Sequence, residues 1–234
     1  MHVLSVIHGD NARSGIFGEV VAEQGHELEE WSLAWDKPLR RPLDDYGAVL
    51  VFGGSMHADQ DDRHPWLREE NVFLQRLLNR HTPVLGVCLG AQLLAKAAQA
   101  DVFRAREPEV GWFEVELLPD ADDDPVLGHL PQRFDAFQWH YYTYGLPGGA
   151  VELARSGVCT QAFRLGEAAW GIQFHAEVTM NEIETWVRED GDEVLGDADE
   201  FLEDAQRRID SWNSLGSKLC GGFLEVAERV AAPV

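Results

Sequence analysis

The chain has 234 residues, of which 45% are hydrophobic. That is enough for one sizeable core but cramped for two domains of ordinary size, so we expect a single domain over residues 1–234. Its 41 acidic residues outnumber 19 lysines and arginines, and the formal net charge of −22 disfavours nucleic acid and anionic membranes as partners. The sequence contains no run of about 18 apolar residues, so it predicts no membrane span.

In the first half of the chain, short apolar runs alternate with helical patterns. Residues 3–7, 48–52 and 84–87 predict buried strands, because strands covered on both faces are apolar throughout. Residues 66–80 and the segment after Gly90 carry apolar side chains at helical spacing. This alternation is typical of a mainly parallel sheet with helices on both faces, so we expect an α/β fold.

The second half of the chain predicts further strands and then a helical C-terminal part from about residue 179. The predicted strands cover residues 110–118, 133–138 and 168–174, and the predicted helices cover residues 179–188, 200–212 and 218–230. The acidic stretch at 190–199 is expected to be a solvated connection with no chemistry of its own.

Cys88 stands between a predicted strand and a predicted helix. Gly86 and Gly90 flank it two residues away on either side, which is the pattern of a nucleophile elbow. Glycine at these positions lets the strand and helix approach closely while the cysteine adopts a strained backbone. The helix N-terminus under the sulfur favours the reactive thiolate. The alternative is that Cys88 is a small buried hydrophobic residue, the commoner fate of an isolated cysteine.

The other two cysteines, Cys159 and Cys220, lack flanking glycines, so we expect structural roles for them. Three scattered cysteines are too few for a disulfide framework, and they lack the close pairs that would indicate a zinc site. A reducing cytoplasm is the natural location for such a chain. We expect no metal and no other cofactor.

Three polar residues follow predicted strands at the same edge of the sheet. His175 and Glu177 lie two residues apart, so both can face one side, where His175 would take the thiol proton and Glu177 would hold the ring. A His-x-Glu pair alone is a weak signal, but together with Cys88 it predicts a triad. His8 could line the same pocket, although an ordinary polar turn is the alternative.

Three sequence segments carry a family resemblance. Gly-Val-Cys-Leu-Gly-Ala-Gln at 86–92, Phe-His-Ala-Glu at 174–177 and Phe-Gly-Gly-Ser at 52–55 resemble the class I glutamine amidotransferases. The resemblance covers nearly the whole chain and is closest to free-standing proteins similar to the glutaminase domain of GMP synthase. It implies a flavodoxin-like three-layer sandwich, a mainly parallel central sheet with helices on both faces, and a Cys-His-Glu triad.

The resemblance also implies roles for single residues. The backbone N–H groups of Gly54 and Leu89 would donate hydrogen bonds to an oxyanion. The alternative is that the Gly-Gly turn is an ordinary loop, which is the commoner case. The residues that would contact substrate are Gly53, Gln92, Trp139 and His140. Members of the family commonly have proline where this chain has Ala176, and an acid where it has Tyr142. The second departure puts in doubt how substrate is held on that side.

The function implied is cleavage of the glutamine side-chain amide through a γ-glutamyl thioester, releasing ammonia for a separate acceptor. The chain lacks a Gly-x-x-x-x-Gly-Lys-Ser/Thr phosphate loop, so any synthase activity would come from a separate subunit. One alternative is a γ-glutamyl peptidase or hydrolase that acts on γ-glutamyl amides or peptides. A second is a non-catalytic regulatory or binding subunit that keeps the fold.

Overall fold

The computed structural model describes residues 1–35 and 37–231. In chain order its main elements are β1 (His2–Val6), α1 (Gly15–Glu23), β2 (Glu27–Trp31), β3 (Tyr46–Val51), α2 (Trp66–Asn79), β4 (Val84–Val87), α3 (Leu89–Ala97), β5 (Val102–Leu117), β6 (Arg133–Tyr144), β7 (Ala150–Arg155), β8 (Thr160–Leu165), β9 (Ala169–Ile172), α4 (Met180–Val194) and α5 (Ala198–Ala231). No helix within these described residues has both the length and the apolar character needed to cross a membrane.

The strands form one nine-stranded sheet in the order β2-β1-β3-β4-β9-β8-β7-β5-β6. The strands from β2 to β9 pair in parallel, and those from β9 to β6 pair antiparallel. The predicted α/β fold is confirmed, with the refinement that the sheet is mixed. The parallel part brings the carboxyl ends of β1, β3, β4 and β9 to a common edge, where ligands bind in open α/β sheets.

Two hydrophobic cores lie on opposite faces of the sheet. One contains the buried residues of α1 and α5, and the other contains those of α2 and α3. Neighbouring residues of a strand alternate between them: Val3 belongs to the first core and Leu4 to the second. This explains why the central strands are almost entirely apolar, since each face of the sheet is covered; Ser5 in β1 is a buried polar exception.

The C-terminal helices differ from the prediction. The helix predicted at 179–188 continues to Val194 and α5 begins at Ala198, so the predicted loop at 190–199 was wrong at residues 190–194 and 198–199. The helices predicted at 200–212 and 218–230 are one continuous helix, α5. Gly216 does not break it: a Cβ there would lie 2.0 Å from the Ala176 carbonyl oxygen. Glycine therefore lets α5 pass against the backbone next to His175.

Candidate active site

Cys88 lies between β4 and α3 with φ of 52° and ψ of −109°, a conformation that residues with a side chain rarely adopt. A Cβ on Gly86 would lie 2.6 Å from the Gly90 carbonyl group, and a Cβ on Gly90 would lie 2.0 Å from the Val51 oxygen. Both separations are far below van der Waals contact. The flanking glycines therefore have the role that the elbow pattern predicts, which is close packing of β4, α3 and β3.

His175 follows β9 and lies between Cys88 and Glu177. Its Nδ1 is 2.8 Å from Glu177 Oε1, and because a carboxylate accepts, Nδ1 is the donor. The remaining ring nitrogen, Nε2, is then available to the Cys88 side chain, which lines the same small cavity as His175. All three residues are at least 94% buried, with exposed fractions of 6% for Cys88 and 3% for each partner. The structure thus brings the three predicted residues together.

Cys88 and Glu177 both influence the charge of His175. Burial by itself lowers the pKa of His175, but the charges of the Cys88 thiolate and Glu177, with the hydrogen bonds to both, raise it to about 10. His175 is therefore an imidazolium at neutral pH whenever Cys88 is a thiolate. Such a pair holds a nucleophile and a proton donor side by side.

Tryptophans and backbone groups hold His175 from behind. Its carbonyl oxygen accepts a 2.8 Å hydrogen bond from Trp212 Nε1, and its N–H donates to the Phe137 oxygen at 2.9 Å. The Trp186 and His175 rings pack in an edge-to-face arrangement, with 4.8 Å between ring centroids. These contacts come from β6, α4 and α5, so three elements of the C-terminal half of the chain position His175.

The Gly53-Gly54 turn follows β3 and lies opposite Cys88. A Cβ on Gly53 would be 3.0 Å from His175 Cε1 and 3.7 Å from Cys88 Cβ, so glycine leaves room for the imidazole. A Cβ on Gly54 would be 2.7 Å from both His8 Cβ and Met56 Sδ. Gly54 borders the cavity, whereas Gly53 lies behind His175.

His8 supports this turn from inside the protein. Its Nδ1 lies 3.0 Å from the Phe52 oxygen and 3.1 Å from the Gly53 oxygen, and its Nε2 lies 3.0 Å from both oxygens of Glu70. Both ring nitrogens face acceptors, so both carry protons. Burial lowers the pKa of His8, but the Glu70 carboxylate and these hydrogen bonds raise it above the usual value. His8 is therefore a buried cation.

The amides of Gly54 and Leu89 are free to bind a ligand. No acceptor in the described part of the chain bonds to the Gly54 N–H, and Leu89 begins α3, so its N–H has no partner within the helix. A trans peptide directs C=O and N–H to opposite sides. Because His8 holds the Gly53 carbonyl in the interior, the Gly54 N–H points away from His8.

A cavity of about 390 Å³ opens beside Cys88. Of the predicted site residues, it is lined by Gly54, Cys88, Leu89, Gln92, Trp139 and His140. A smaller adjoining cavity of about 60 Å³ reaches His175. Gln92 belongs to the wall more than to a solvated helix face, since its amide donates to the Tyr142 oxygen at 2.8 Å and to Gln173 Oε1 at 3.3 Å.

The larger cavity is also lined by residues that were not predicted as site residues: Ser55, Met56, His57, Arg104, Tyr141, Tyr142 and Asp190. The rings of His57 and Tyr142 stack with 4.0 Å between centroids. Arg104 lies in the part of β5 that precedes the predicted strand, and Asp190 lies in the segment predicted to be a loop. The only available signal was Tyr142, at the position where the family commonly has an acid.

The two other cysteines have different surroundings from Cys88. Burial raises the pKa of Cys159 to about 12 and raises the pKa of Cys220 above the usual range for a thiol. Both thiols are therefore protonated at neutral pH, and a protonated thiol is a poor nucleophile.

Fold and site together define an α/β protein with a cysteine at a strained strand-to-helix turn and a histidine–carboxylate pair beside it. The family model for glutamine amidotransferase class I matches residues 19–191. The chain belongs to the class I glutamine amidotransferase family, which confirms the resemblance drawn from its motifs. Membership also confirms the expectation of a cysteine-dependent enzyme type.

The chain is similar to a protein of comparable length and to longer proteins. The glutamine amidotransferase-like protein YfeJ of Salmonella typhimurium is 26% identical over 218 residues, covering 91% of each chain. The glutamine-hydrolyzing GMP synthase of Aeropyrum pernix is 43% identical over 138 residues, which are 58% of this chain and 26% of that protein. A gamma-glutamyl-L-1-hydroxyisopropylamide hydrolase from a Pseudomonas species is 28% identical over 165 residues, covering 67% of this chain and 55% of the hydrolase.

Solved structures agree with the fold. A glutamine amidotransferase from Thermotoga maritima superposes with a TM-score of 0.88 at 30% identity, covering 96% of this chain and 98% of that one. The similarity extends over both the parallel and the antiparallel parts of the sheet.

Proposed function

We propose that the chain, acting as one domain, hydrolyses the side-chain amide of glutamine, with Cys88 as nucleophile, His175 as acid and base, and Glu177 as the orienting carboxylate. The observation on which the proposal rests is that a strained cysteine lines the same open cavity as a histidine that is itself held by a buried carboxylate. This is the arrangement that nucleophilic catalysis by a thiol requires.

The reaction proceeds in two steps. The Cys88 thiolate attacks the amide carbon, and the tetrahedral oxyanion accepts hydrogen bonds from the Gly54 and Leu89 amides. The C–N bond breaks, and His175 gives its proton to the leaving nitrogen, which departs as ammonia. The neutral His175 then takes a proton from water as its oxygen attacks the γ-glutamyl thioester. Glutamate leaves, and the thiolate and the imidazolium are restored.

The charges in the cavity wall suit the amino-acid end of glutamine. Arg104 supplies a cation and Asp190 supplies an anion in the same cavity as Cys88. A free α-carboxylate would pair with the first and a free α-ammonium with the second. Trp139 and His140, predicted from the family resemblance, form part of the same wall, as does Gln92. Gly53 acts indirectly, by leaving space for His175.

The ammonia is proposed to serve a separate acceptor or a separate synthase subunit. The matched GMP synthase is much longer than this chain, and the match covers only 26% of it. The remaining functions of that protein lie outside the residues that match this chain.

A γ-glutamyl hydrolase is the second candidate. The specific support is the similarity to the gamma-glutamyl-L-1-hydroxyisopropylamide hydrolase, which covers 67% of this chain. The same thioester would form, but an amine would leave in place of ammonia. Steady-state rates for glutamine, γ-glutamyl alkylamides and γ-glutamyl dipeptides separate the two candidates. A kcat/KM at least about tenfold higher for the alkylamides or dipeptides would overturn the glutaminase assignment.

Covalent trapping tests the triad and the non-catalytic alternative together. The wild-type chain is incubated with a glutamine-analogue electrophile, and intact mass then reports any adduct. We expect one adduct on the wild type, none on Cys88→Ser, and one on the matched control Cys220→Ala. Absence of an adduct on the wild type, under conditions that label another class I amidotransferase, would favour a binding or regulatory subunit.

A further inference from the structure

A second group of ligand-type side chains lies in the antiparallel half of the sheet. It comprises Glu109 in β5, His140 in β6 and Cys159 just before β8, and their donor atoms all lie within 4.8 Å of one another. Glu109 Oε2 is 3.1 Å from His140 Nε2 and 3.6 Å from Cys159 Sγ. The side chains of Glu109 and His140 are each 1% exposed. A buried carboxylate, a buried imidazole and a half-buried thiol thus lie close together.

The ring of His140 is oriented to present a lone pair to this group. Its Nδ1 lies 3.0 Å from the Tyr142 carbonyl oxygen, and because a carbonyl can only accept, Nδ1 carries a proton. Nε2 is buried and has no hydrogen-bond partner in the described part of the chain, although Glu109 Oε2 is close to it. The two atoms are therefore misaligned for an N–H···O bond. With a neutral His140, the lone pairs of His140 Nε2 and Glu109 Oε2 would repel each other. A cation between the two atoms would remove that repulsion.

We propose that Glu109, His140 and Cys159 bind one divalent transition-metal ion, with zinc as the best match. Tetrahedral zinc with bonds of about 2.0–2.3 Å separates its ligand atoms by roughly 3.3–3.8 Å. The two contacts of Glu109 Oε2, at 3.1 and 3.6 Å, need shifts of only a few tenths of an ångström to fit. A thiolate and an imidazole favour zinc over magnesium or calcium. Cys159 binds as the thiolate, its proton passes to solvent, and water fills the fourth position.

Neighbouring groups already hold the ligands. The hydrogen bond from His140 Nδ1 to a backbone carbonyl is the usual outer contact of a metal-binding histidine, since it fixes the tautomer. Gln161 Nε2 donates to Glu109 Oε2 at 2.8 Å and lies 3.5 Å from Cys159 Sγ. Gln138 Nε2 in turn donates to Gln161 Oε1 at 2.7 Å. This chain of buried amides orients the carboxylate and the thiol toward a common point.

The proposed metal goes against our expectation of none, which rested on the absence of closely spaced cysteines. The three ligands are separated by 31 and 19 residues in sequence, so only the folded sheet brings them together. His140 also borders the larger cavity beside Cys88. The Tyr142 carbonyl oxygen, which accepts a hydrogen bond from His140, accepts a second one from Gln92. A bound ion would therefore stiffen that wall, whichever substrate the cavity accepts.

Zinc titration tests the site without an activity assay. Metal-free full-length Cys88→Ser, which lacks the proposed catalytic thiol, is titrated with Zn²⁺ against a chromophoric chelator. We expect one equivalent to bind, and expect Cys159→Ala or Glu109→Gln in that background to weaken the affinity by at least about 100-fold. Cys220→Ala in the same background is the matched control and should bind normally. Equal zinc affinity in all four proteins would overturn the proposal, as would no binding to Cys88→Ser.

Cobalt provides a readout of the thiolate itself. Co²⁺ bound to Cys88→Ser should give a thiolate-to-metal charge-transfer band, lost in Cys88→Ser/Cys159→Ala and kept in Cys88→Ser/Cys220→Ala. Zinc should also raise the Tm of Cys88→Ser but not that of Cys88→Ser/Glu109→Gln, which keeps the side-chain shape. A charge-transfer band that persists without Cys159 would mean that the ion binds elsewhere.

Discussion

His8 and Glu70 form a buried ion pair directly behind the Gly53-Gly54 turn. His8 Nε2 is 3.0 Å from both carboxylate oxygens, and the two side chains are 1% and 0% exposed. The opposite ring nitrogen faces the carbonyl oxygens of Phe52 and Gly53. The ion pair joins His8, which follows β1, to Glu70 in α2. It thereby fixes the peptide plane that carries the proposed oxyanion donor, the Gly54 N–H.

Breaking this pair should lower both stability and turnover. Glu70→Gln keeps the shape of the side chain but leaves His8 without its counter-ion, and losing one member of a buried pair costs about 3 kcal/mol. Urea denaturation should show that loss in the free energy of unfolding. We also expect kcat for glutamine to fall by about tenfold with KM little changed, because a misplaced donor weakens the transition state more than substrate binding. An unchanged kcat in the folded variant would assign the pair a purely structural role.

The same pair should make stability depend on pH. The pKa of His8 in the folded protein is raised above the ordinary value of 6.5, so its contribution to stability is fully present below pH 6.5. That contribution is lost as the pH rises through the folded-state pKa. Free energies of unfolding at several pH values should therefore fall more steeply toward alkaline pH for the wild type than for Glu70→Gln. Parallel pH profiles for the two proteins would contradict the charged state assigned to His8.

The parts of the site that could be predicted from sequence are those encoded within a few residues. Cys88 is flanked by its two glycines, and His175 and Glu177 are separated by one residue. Local backbone geometry sets the position of Cys88 relative to its glycines and of His175 relative to Glu177. His8 and Glu70 are 62 positions apart, and no local sequence pattern around either residue predicts that they pair. Arg104 and Asp190 likewise reach the cavity only because β5 and α4 extend beyond the predicted limits.

Helix α5 shows the same limit at the level of the fold. The sequence analysis predicts two helices, at 200–212 and 218–230, and Gly216, a residue type that forms helices weakly, lies in the gap between them. Glycine is required at position 216 because a Cβ there would clash with the Ala176 carbonyl oxygen, 40 residues away in sequence. Strands β7 and β8 were also missed. Both lie in the antiparallel half of the sheet, where partly exposed polar residues interrupt the apolar runs.

Gly90→Ala should disrupt the turn that presents Cys88. The added methyl group would lie 2.0 Å from the Val51 carbonyl oxygen, so β3 and α3 must separate. We expect the free energy of unfolding to fall by about 3 kcal/mol and trapping of Cys88 by a glutamine-analogue electrophile to slow. Gly148→Ala is the control, because nothing lies within 4 Å of a Cβ at that position. Equal effects of the two substitutions on stability and trapping would refute the close packing of the elbow.

Removing the thiol should change the proton affinity of His175. After the opposing effect of burial, the Cys88 charge is the largest contribution to the raised pKa of His175, so Cys88→Ala should lower that pKa from about 10. NMR titration of the His175 ring in the wild type and Cys88→Ala measures the difference, which we expect to be at least about one unit. Cys220→Ala serves as the control, with no change expected. A His175 pKa that is the same in all three proteins would mean that the thiolate and the imidazolium are not paired.

Arg104→Gln should separate substrate binding from chemistry. Arg104 lines the cavity but is not part of the Cys88, His175 and Glu177 arrangement, so its loss should raise KM for glutamine while kcat changes little. Loss of one ion pair with the α-carboxylate should raise KM by about tenfold. Arg106→Gln, a change at a neighbouring exposed arginine, is the matched control and should leave both constants unchanged. If Arg104 binds the α-carboxylate, a glutamine analogue lacking that group should react equally well with the wild type and Arg104→Gln. A difference between the two proteins toward that analogue would show that Arg104 acts on some other part of the substrate.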